Sequence, residues 1–311
     1  MLAIAKKIME NVDWRHLTTG SSGLTGQARS QLNRMLGSRL RRSKKKMKIY
    51  KYLSINKNTI SSLIENYFYF SKIDEINDPF DCRRNIKVSK NVNVIQKWIK
   101  SHETVDDESL RLEVKEIIEH GKEIFLNEEP LVKNNFVRLL CFSKKNDDIL
   151  MWSHYADSHK GICLEYEATQ FDSKPVIEIQ EKQIQSNNFW IYDKGLLPLY
   201  PVKYSKKMPY AYDFMKGEDK STMRFALTKH TSWKYEQELR SILTDDMLPS
   251  EQRVYYKKEI LTGVIFGFKI SEKDRKLINS IIFTYYSINK PIIYNAEPVN
   301  GLYKLKIIKE T

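Results

Sequence analysis

The chain has 311 residues, of which 41% are hydrophobic, 12% aromatic and 29% charged. That balance excludes wholesale disorder and supplies enough apolar side chain for a sizeable core. The net charge of +13 is not a nucleic-acid signature of the whole chain, because nine of those charges fall within residues 1–46 and the remainder is only mildly basic.

Residues 1–46 read as a separate basic extension, flexible and able to meet nucleic acid. Gly20-Ser21-Ser22-Gly23 interrupts any pattern there, and Arg39 to Lys46 is a solvated charge run. From Met47 the sequence switches to strand-like alternation, so a single α+β domain is expected over 47–311. Its sheet should be mixed and mainly antiparallel, with flanking helices. Ile49–Ser54 is a strand, Asn56–Asn66 a short helix capped by Asn56 or Asn58, and Tyr67–Ser71 a second strand. Asn77-Asp78-Pro79 punctuates a loop. Residues 90–128 recur at helical spacing through Val94, Ile95, Trp98, Ile99, Leu110, Val114 and Ile117. Phe136–Phe142 is a buried strand, Asp147–Ala156 a short helix, and Gly161–Tyr166 and Pro175–Ile179 are strands. Asp219–Trp233 reads as a helix and Leu239–Leu243 as a strand. Leu261–Phe268 is a strand, followed by a helix from Ser271 to about Ile282 and strands at Pro291–Asn295 and Leu302–Ile308.

No apolar run approaches the roughly 20 residues that span a bilayer, so no membrane partner is expected. The three cysteines, Cys82, Cys141 and Cys163, are odd in number and form no CxxC pair. That argues for free thiols in a reducing cytoplasm. Glycine-rich phosphate loops, HExxH and GxSxG are missing. His154, His159 and Cys163 have metal-ligand chemistry but no second cluster to complete a site, and no metal is expected.

Polar and aromatic residues concentrate in two segments. In Trp152-Ser-His-Tyr155, Trp152 and Tyr155 lie at helical spacing and His154 supplies a group that titrates near neutrality. Gly161, just beyond, lets the chain turn into the next strand. In Trp233-x-x-Glu236-x-Glu238-x-Arg240, a strand would put both carboxylates and the guanidinium on one face. One carboxylate could then act as acid or base, with Arg240 orienting an anion. A second Glu-x-Glu, Glu165-Tyr-Glu167, shows that the pattern also arises by chance.

Together with Ile49-Tyr-Lys-Tyr-Leu53, Tyr69-Phe-Ser71, Asn77-Asp-Pro-Phe80, Cys141-Phe-Ser143, Lys160-Gly161 and Lys229, these segments resemble the bacterial family catalogued as domain of unknown function 2971. The resemblance covers about residues 47–270 and implies shape rather than activity. The order of strands is also similar, more distantly, to ADP-ribosyltransferase-like folds. That similarity implies NAD as substrate, with Tyr50 and Tyr52 flanking it and Ser71 supporting it. Glu238 would be the catalytic carboxylate, and Glu236 would select or activate the acceptor. The His or Arg usual on the first strand of such folds is replaced, with Lys51 lying between the two tyrosines. The functional expectation is an NAD-using enzyme with a defence or toxin role. The alternative is a non-catalytic nucleotide or nucleic-acid module clamping its ligand between Trp152, His154, Trp233 and Arg240. A nuclease using His154 and Glu238 is a third possibility.

Overall fold

The computed structural model describes residues 42–310, apart from 84–85, 103, 105, 127–136, 172–173, 185–194, 214, 216–220 and 250. Of the extension expected over residues 1–46, residues 1–41 therefore lie outside the described residues. The first half carries β1 (Arg42–Leu53), α1 (Lys57–Glu65), β2 (Tyr67–Tyr69), β3 (Ser71–Lys72), β4 (Ile86–Lys87), α2 (Val92–His102), α3 (Asp107–Leu126) and β5 (Val137–Ser143). Then come α4 (Ile149–Tyr155), β6 (Ile162–Phe171), β7 (Lys174–Glu178), β8 (Leu196–Pro198), β9 (Tyr200–Pro201), β10 (Lys203–Ser205), β11 (Tyr212–Asp213), α5 (Ser221–Ala226) and β12 (Thr228–His230). A 3-10 turn at Thr231–Glu236 precedes β13 (Glu238–Thr244), β14 (Arg253–Tyr255), β15 (Leu261–Phe266), α6 (Glu272–Tyr285), β16 (Ile292–Pro298) and β17 (Leu305–Lys309).

Contacts gather the chain into two units. The smaller holds residues 72–137 and 205–230, the larger 42–71, 138–204 and 231–311. In the smaller, α2 and α3 bury Ile95, Ile99, Leu110, Val114 and Ile117, the residues whose helical spacing marked the segment. β4 and β11 pair in parallel. The Asn77-Asp78-Pro79 loop is fixed by its own side chains: the Phe80 amide donates to Asp78 Oδ1 at 2.9 Å. Buried Lys229 lies 3.5 Å from Asp81, so a burial that would be costly for either charge alone is paired.

The larger unit is built on an eleven-stranded, mostly antiparallel sheet whose main path runs β17-β16-β15-β6-β1-β5-β13-β9. β15 and β16 are parallel, and α6 supplies the crossover that a parallel pair requires. Side chains alternate across the sheet. One face packs Ile49, Leu140, Phe142, Leu164, Tyr166, Val264 and Phe266 with Leu63 of α1 and Ile278, Ile281 and Ile282 of α6. The other face carries a smaller cluster under α4: Tyr52, Met151, Trp152, Ala156, Cys163, Ile265, Ala296 and Leu305. This is the α+β class that the pattern predicted.

Several boundaries differ from the sequence expectation. β1 starts at Arg42, not at Ile49, because Arg42, Ser43 and Lys46 pair with β6. The backbone of the basic run is thus used by the sheet, and Lys46 pairs with Glu167 at 2.8 Å. The helix expected over Asp219–Trp233 is broken into α5, β12 and the 3-10 turn. The apolar spacing there was real, but β-branched Thr228 and Thr231 follow it and favour extended or turn backbone. Gly161 does not need a positive φ; it is required because a Cβ would sit 2.2 Å from the Leu53 carbonyl oxygen.

Candidate functional site

The centre of the sheet has a seam. β1 pairs with β6 along its length, but the register between β1 and β5 contains one pair, Tyr50 with Ser143. Two side chains of β1 also reach backbone carbonyls of β5 and of the residues that follow it. Lys51 Nζ donates to the Cys141 carbonyl at 3.2 Å, and the Tyr52 hydroxyl donates to the Lys145 carbonyl at 2.9 Å. Buried backbone acceptors need donors, and these side chains supply them.

Helix α4 docks at one end of this seam. Asp148 caps it, accepting from the amides of Leu150 and Met151. Trp152 is wholly buried. Its Nε1 donates to the Asn146 carbonyl at 2.8 Å and its ring meets Tyr52 edge-on at 5.2 Å. Trp152 and Tyr52 therefore lie in the core and offer no ring face to a ligand. His154 is exposed, with its ring 6.2 Å from Tyr235 and 6.4 Å from Tyr155. Trp233 lies 6.1 Å from Tyr235. His154, Tyr235 and Trp233 thus form a partly exposed row of flat rings.

The two glutamates of the second segment are both buried but differently placed. Glu236 ends the 3-10 turn and Gln237 takes a left-handed conformation, φ 44°. That kink removes Glu236 from the strand, so the single-face reading holds only for Glu238 and Arg240. Glu236 Oε1 accepts from the Tyr155 hydroxyl at 2.6 Å, and its carbonyl accepts from Ser143 Oγ at 2.7 Å. Glu238 opens β13 and is gripped by Arg240, Nε to Oε1 at 2.7 Å and Nη2 to Oε2 at 2.9 Å. Arg240 is fully buried, which makes this a desolvated bidentate pair. The Cys141 thiol hydrogen-bonds the same carboxylate. Burial and the Glu238 charge push the Cys141 thiol up. Burial lowers the Lys51 amine, and Cys141 and Glu238 partly offset that.

Of the ten residues singled out in the sequence, the fold joins Tyr155 to Glu236, Glu238 to Arg240, Trp152 to Tyr52, and His154 to Tyr155. Tyr50 sits at the seam. Ser71 is half-buried at the start of β3 and, among the described residues, makes no hydrogen bond to any of the others. Sequence reasoning missed Cys141 as a neighbour of Glu238, since only sheet order reveals it. His154, His159 and Cys163 do not converge. His159 stacks on Trp152 at 6.3 Å, Cys163 lies in the cluster under α4, and His154 is outside both. All three cysteines are free thiols, and no helix among the described residues is long and apolar enough to cross a membrane.

Sheet and flanking helices define an α+β protein, with Glu236 and Glu238 both buried at the start of β13. Residues 151–241 match the sequence model of the family described as Protein of unknown function (DUF2971). This bears out the resemblance over the stretch that contains both site segments. No curated protein and no solved structure matches the chain.

Proposed function

We propose that the head of β13 and helix α4 form a nucleotide site, and that the chain is an NAD-using enzyme of the ADP-ribosyl-transferring or NAD-glycohydrolase kind. The observation that carries this reading is the bidentate grip of Arg240 on Glu238. A guanidinium at this range favours the charged carboxylate, and ribosyl transfer needs a held anion beside the positive charge that develops on the ribose. The bond from ribose C1′ to the nicotinamide nitrogen breaks, and its electron pair leaves with nicotinamide. A water or acceptor hydroxyl adds to C1′, its proton passing to Glu236. The rings of His154, Tyr235 and Trp233 offer stacking surface for the base. Three free thiols suit a reducing compartment, in keeping with a defence or toxin role in a bacterial cytoplasm.

The test is to incubate the full chain with NAD and follow nicotinamide release, beside a Glu238→Gln variant whose melting curve is recorded. The expected loss on substitution is at least about 100-fold, the scale of removing one electrostatic stabiliser. Equal release from both proteins, or none from the wild type, sinks the enzyme reading.

One observation favours a second reading, a nucleotide- or nucleic-acid-binding module without chemistry: Arg240 occupies both Glu238 oxygens, as a structural ion pair would. Calorimetric binding of NAD or an oligonucleotide that Glu238→Gln leaves unchanged, without nicotinamide release, would decide for it.

A further inference from the structure

Glu165 lies on the same sheet face as Tyr50 and is 7% exposed. Its Oε1 accepts from Thr262 Oγ1 at 2.8 Å and lies 3.2 Å from Lys48 Nζ. Lys48 Nζ also donates to Thr262 Oγ1 at 2.7 Å. The Tyr50 phenol hydrogen-bonds the same carboxylate. Tyr294 leans over it from β16, and the glycine beneath allows this: a Cβ on Gly263 would lie 3.0 Å from the Tyr294 ring and 3.2 Å from Glu165 Cβ. The position is also tied to the seam by register. Glu165 pairs with Tyr50, and Tyr50 pairs with Ser143, whose hydroxyl holds the Glu236 carbonyl. Two strand spacings, about 10 Å, separate Glu165 from Ser143.

An apolar side chain would fill a sheet face at lower cost than a carboxylate. The groups around this one are half-exposed, and Lys48 is bound as a partly solvated ion pair, a contact worth little and easily exchanged. A carboxylate flanked by two tyrosines is the chemistry that accepts both hydroxyls of a vicinal diol, with ring faces against the sugar carbons. We infer that Glu165, Tyr50 and Tyr294 form a subsite for the ribose cis-diol of a nucleotide, Lys48 giving way when the hydroxyls arrive. This rests on the nucleotide reading above and adds a carboxylate that the reading does not use.

The experiment is calorimetry on the full chain with AMP and with 2′,3′-dideoxy-AMP. The wild type should bind AMP more tightly by about tenfold or more, the scale of hydrogen bonds to a charged group. Glu165→Gln should bring AMP down to the dideoxy level and leave dideoxy binding unchanged. Tyr294→Ala, which removes a half-buried ring and leaves the carboxylate in place, should weaken AMP several-fold. Equal binding of the two nucleotides by the wild type overturns the subsite, as does discrimination that survives Glu165→Gln. Diol discrimination without nicotinamide release sinks the enzyme reading and leaves the subsite standing. Release with no diol discrimination does the reverse, and binding of neither nucleotide together with no release overturns both.

Discussion

At the scale of single residues, the candidate site is a set of buried charges held by strong partners. Removing one member of such a pair takes a charged partner from a buried group. Arg240→Met leaves Glu238 desolvated and should cost about 3–5 kcal/mol, read as a lower urea midpoint. The double variant Arg240→Met with Glu238→Gln should recover part of that loss. Tyr155→Phe removes one hydrogen bond to a charged oxygen and should cost about 1.5–3 kcal/mol by the same measurement. An unchanged midpoint would mean that the 2.6 Å Tyr155–Glu236 contact contributes nothing in solution. The chemistry of Glu238 and Arg240 was legible from alternation alone. Glu165 was not, because its Glu-x-Glu pattern is common and only the pairing with Tyr50 and the neighbouring Thr262 set it apart.

At the scale of elements, α4 and the turn behind it are the most constrained local structure. Asp157, Ser158 and His159 take left-handed conformations in succession, φ 46°, 52° and 71°, each at a cost that the surroundings must offset. His159 is packed against Trp152 and Phe268. Its Nε2 lies 3.1 Å from Ser153 Oγ, while its buried Nδ1 finds no hydrogen-bond partner among the described residues. Burial, helped by the nearby Lys269 charge, holds its pKa below the ordinary value. The unfolded chain therefore takes up a proton near pH 6.5 that the folded turn resists. Stability should be full above that pH and should fall as pH drops through it. Urea midpoints at pH 5.5 and 7.5 should differ for the wild type and differ less for His159→Phe, which keeps the stacking and cannot titrate. A slope unchanged by the substitution would assign the pH effect elsewhere. Helix starts were easy to read because caps are local: Asn56 accepts from the Thr59 amide and Ser271 from the Asp274 amide. The 3-10 turn before β13 was not readable. Its kink depends on Gln237 adopting a conformation that no residue type there announces.

At the scale of the whole molecule, the class was visible in the alternation of periods, and the order of strands was not. Short connections suggest neighbours, yet β1 lies between β6 and β5, a placement fixed by packing of non-local apolar faces. Charge misled at the amino-terminal edge, where the basic run hid the first residues of β1. A chain starting at Met47 should therefore melt below one starting at Arg42, having lost the pairs of Arg42, Ser43 and Lys46 with β6 and the Lys46–Glu167 ion pair. Equal melting temperatures would show that these pairs add no stability.

A sheet stitched at one pair distributes its compliance unevenly. β1 is bound to β6 along its length and to β5 at Tyr50 and Ser143, so small displacements concentrate on the line between those two residues. Amide hydrogens along that line should exchange sooner than those along β6. The side chains on its two lips, Glu165 and Tyr50 on one and Cys141, Glu238 and Arg240 on the other, are then the groups whose spacing changes most for the least work.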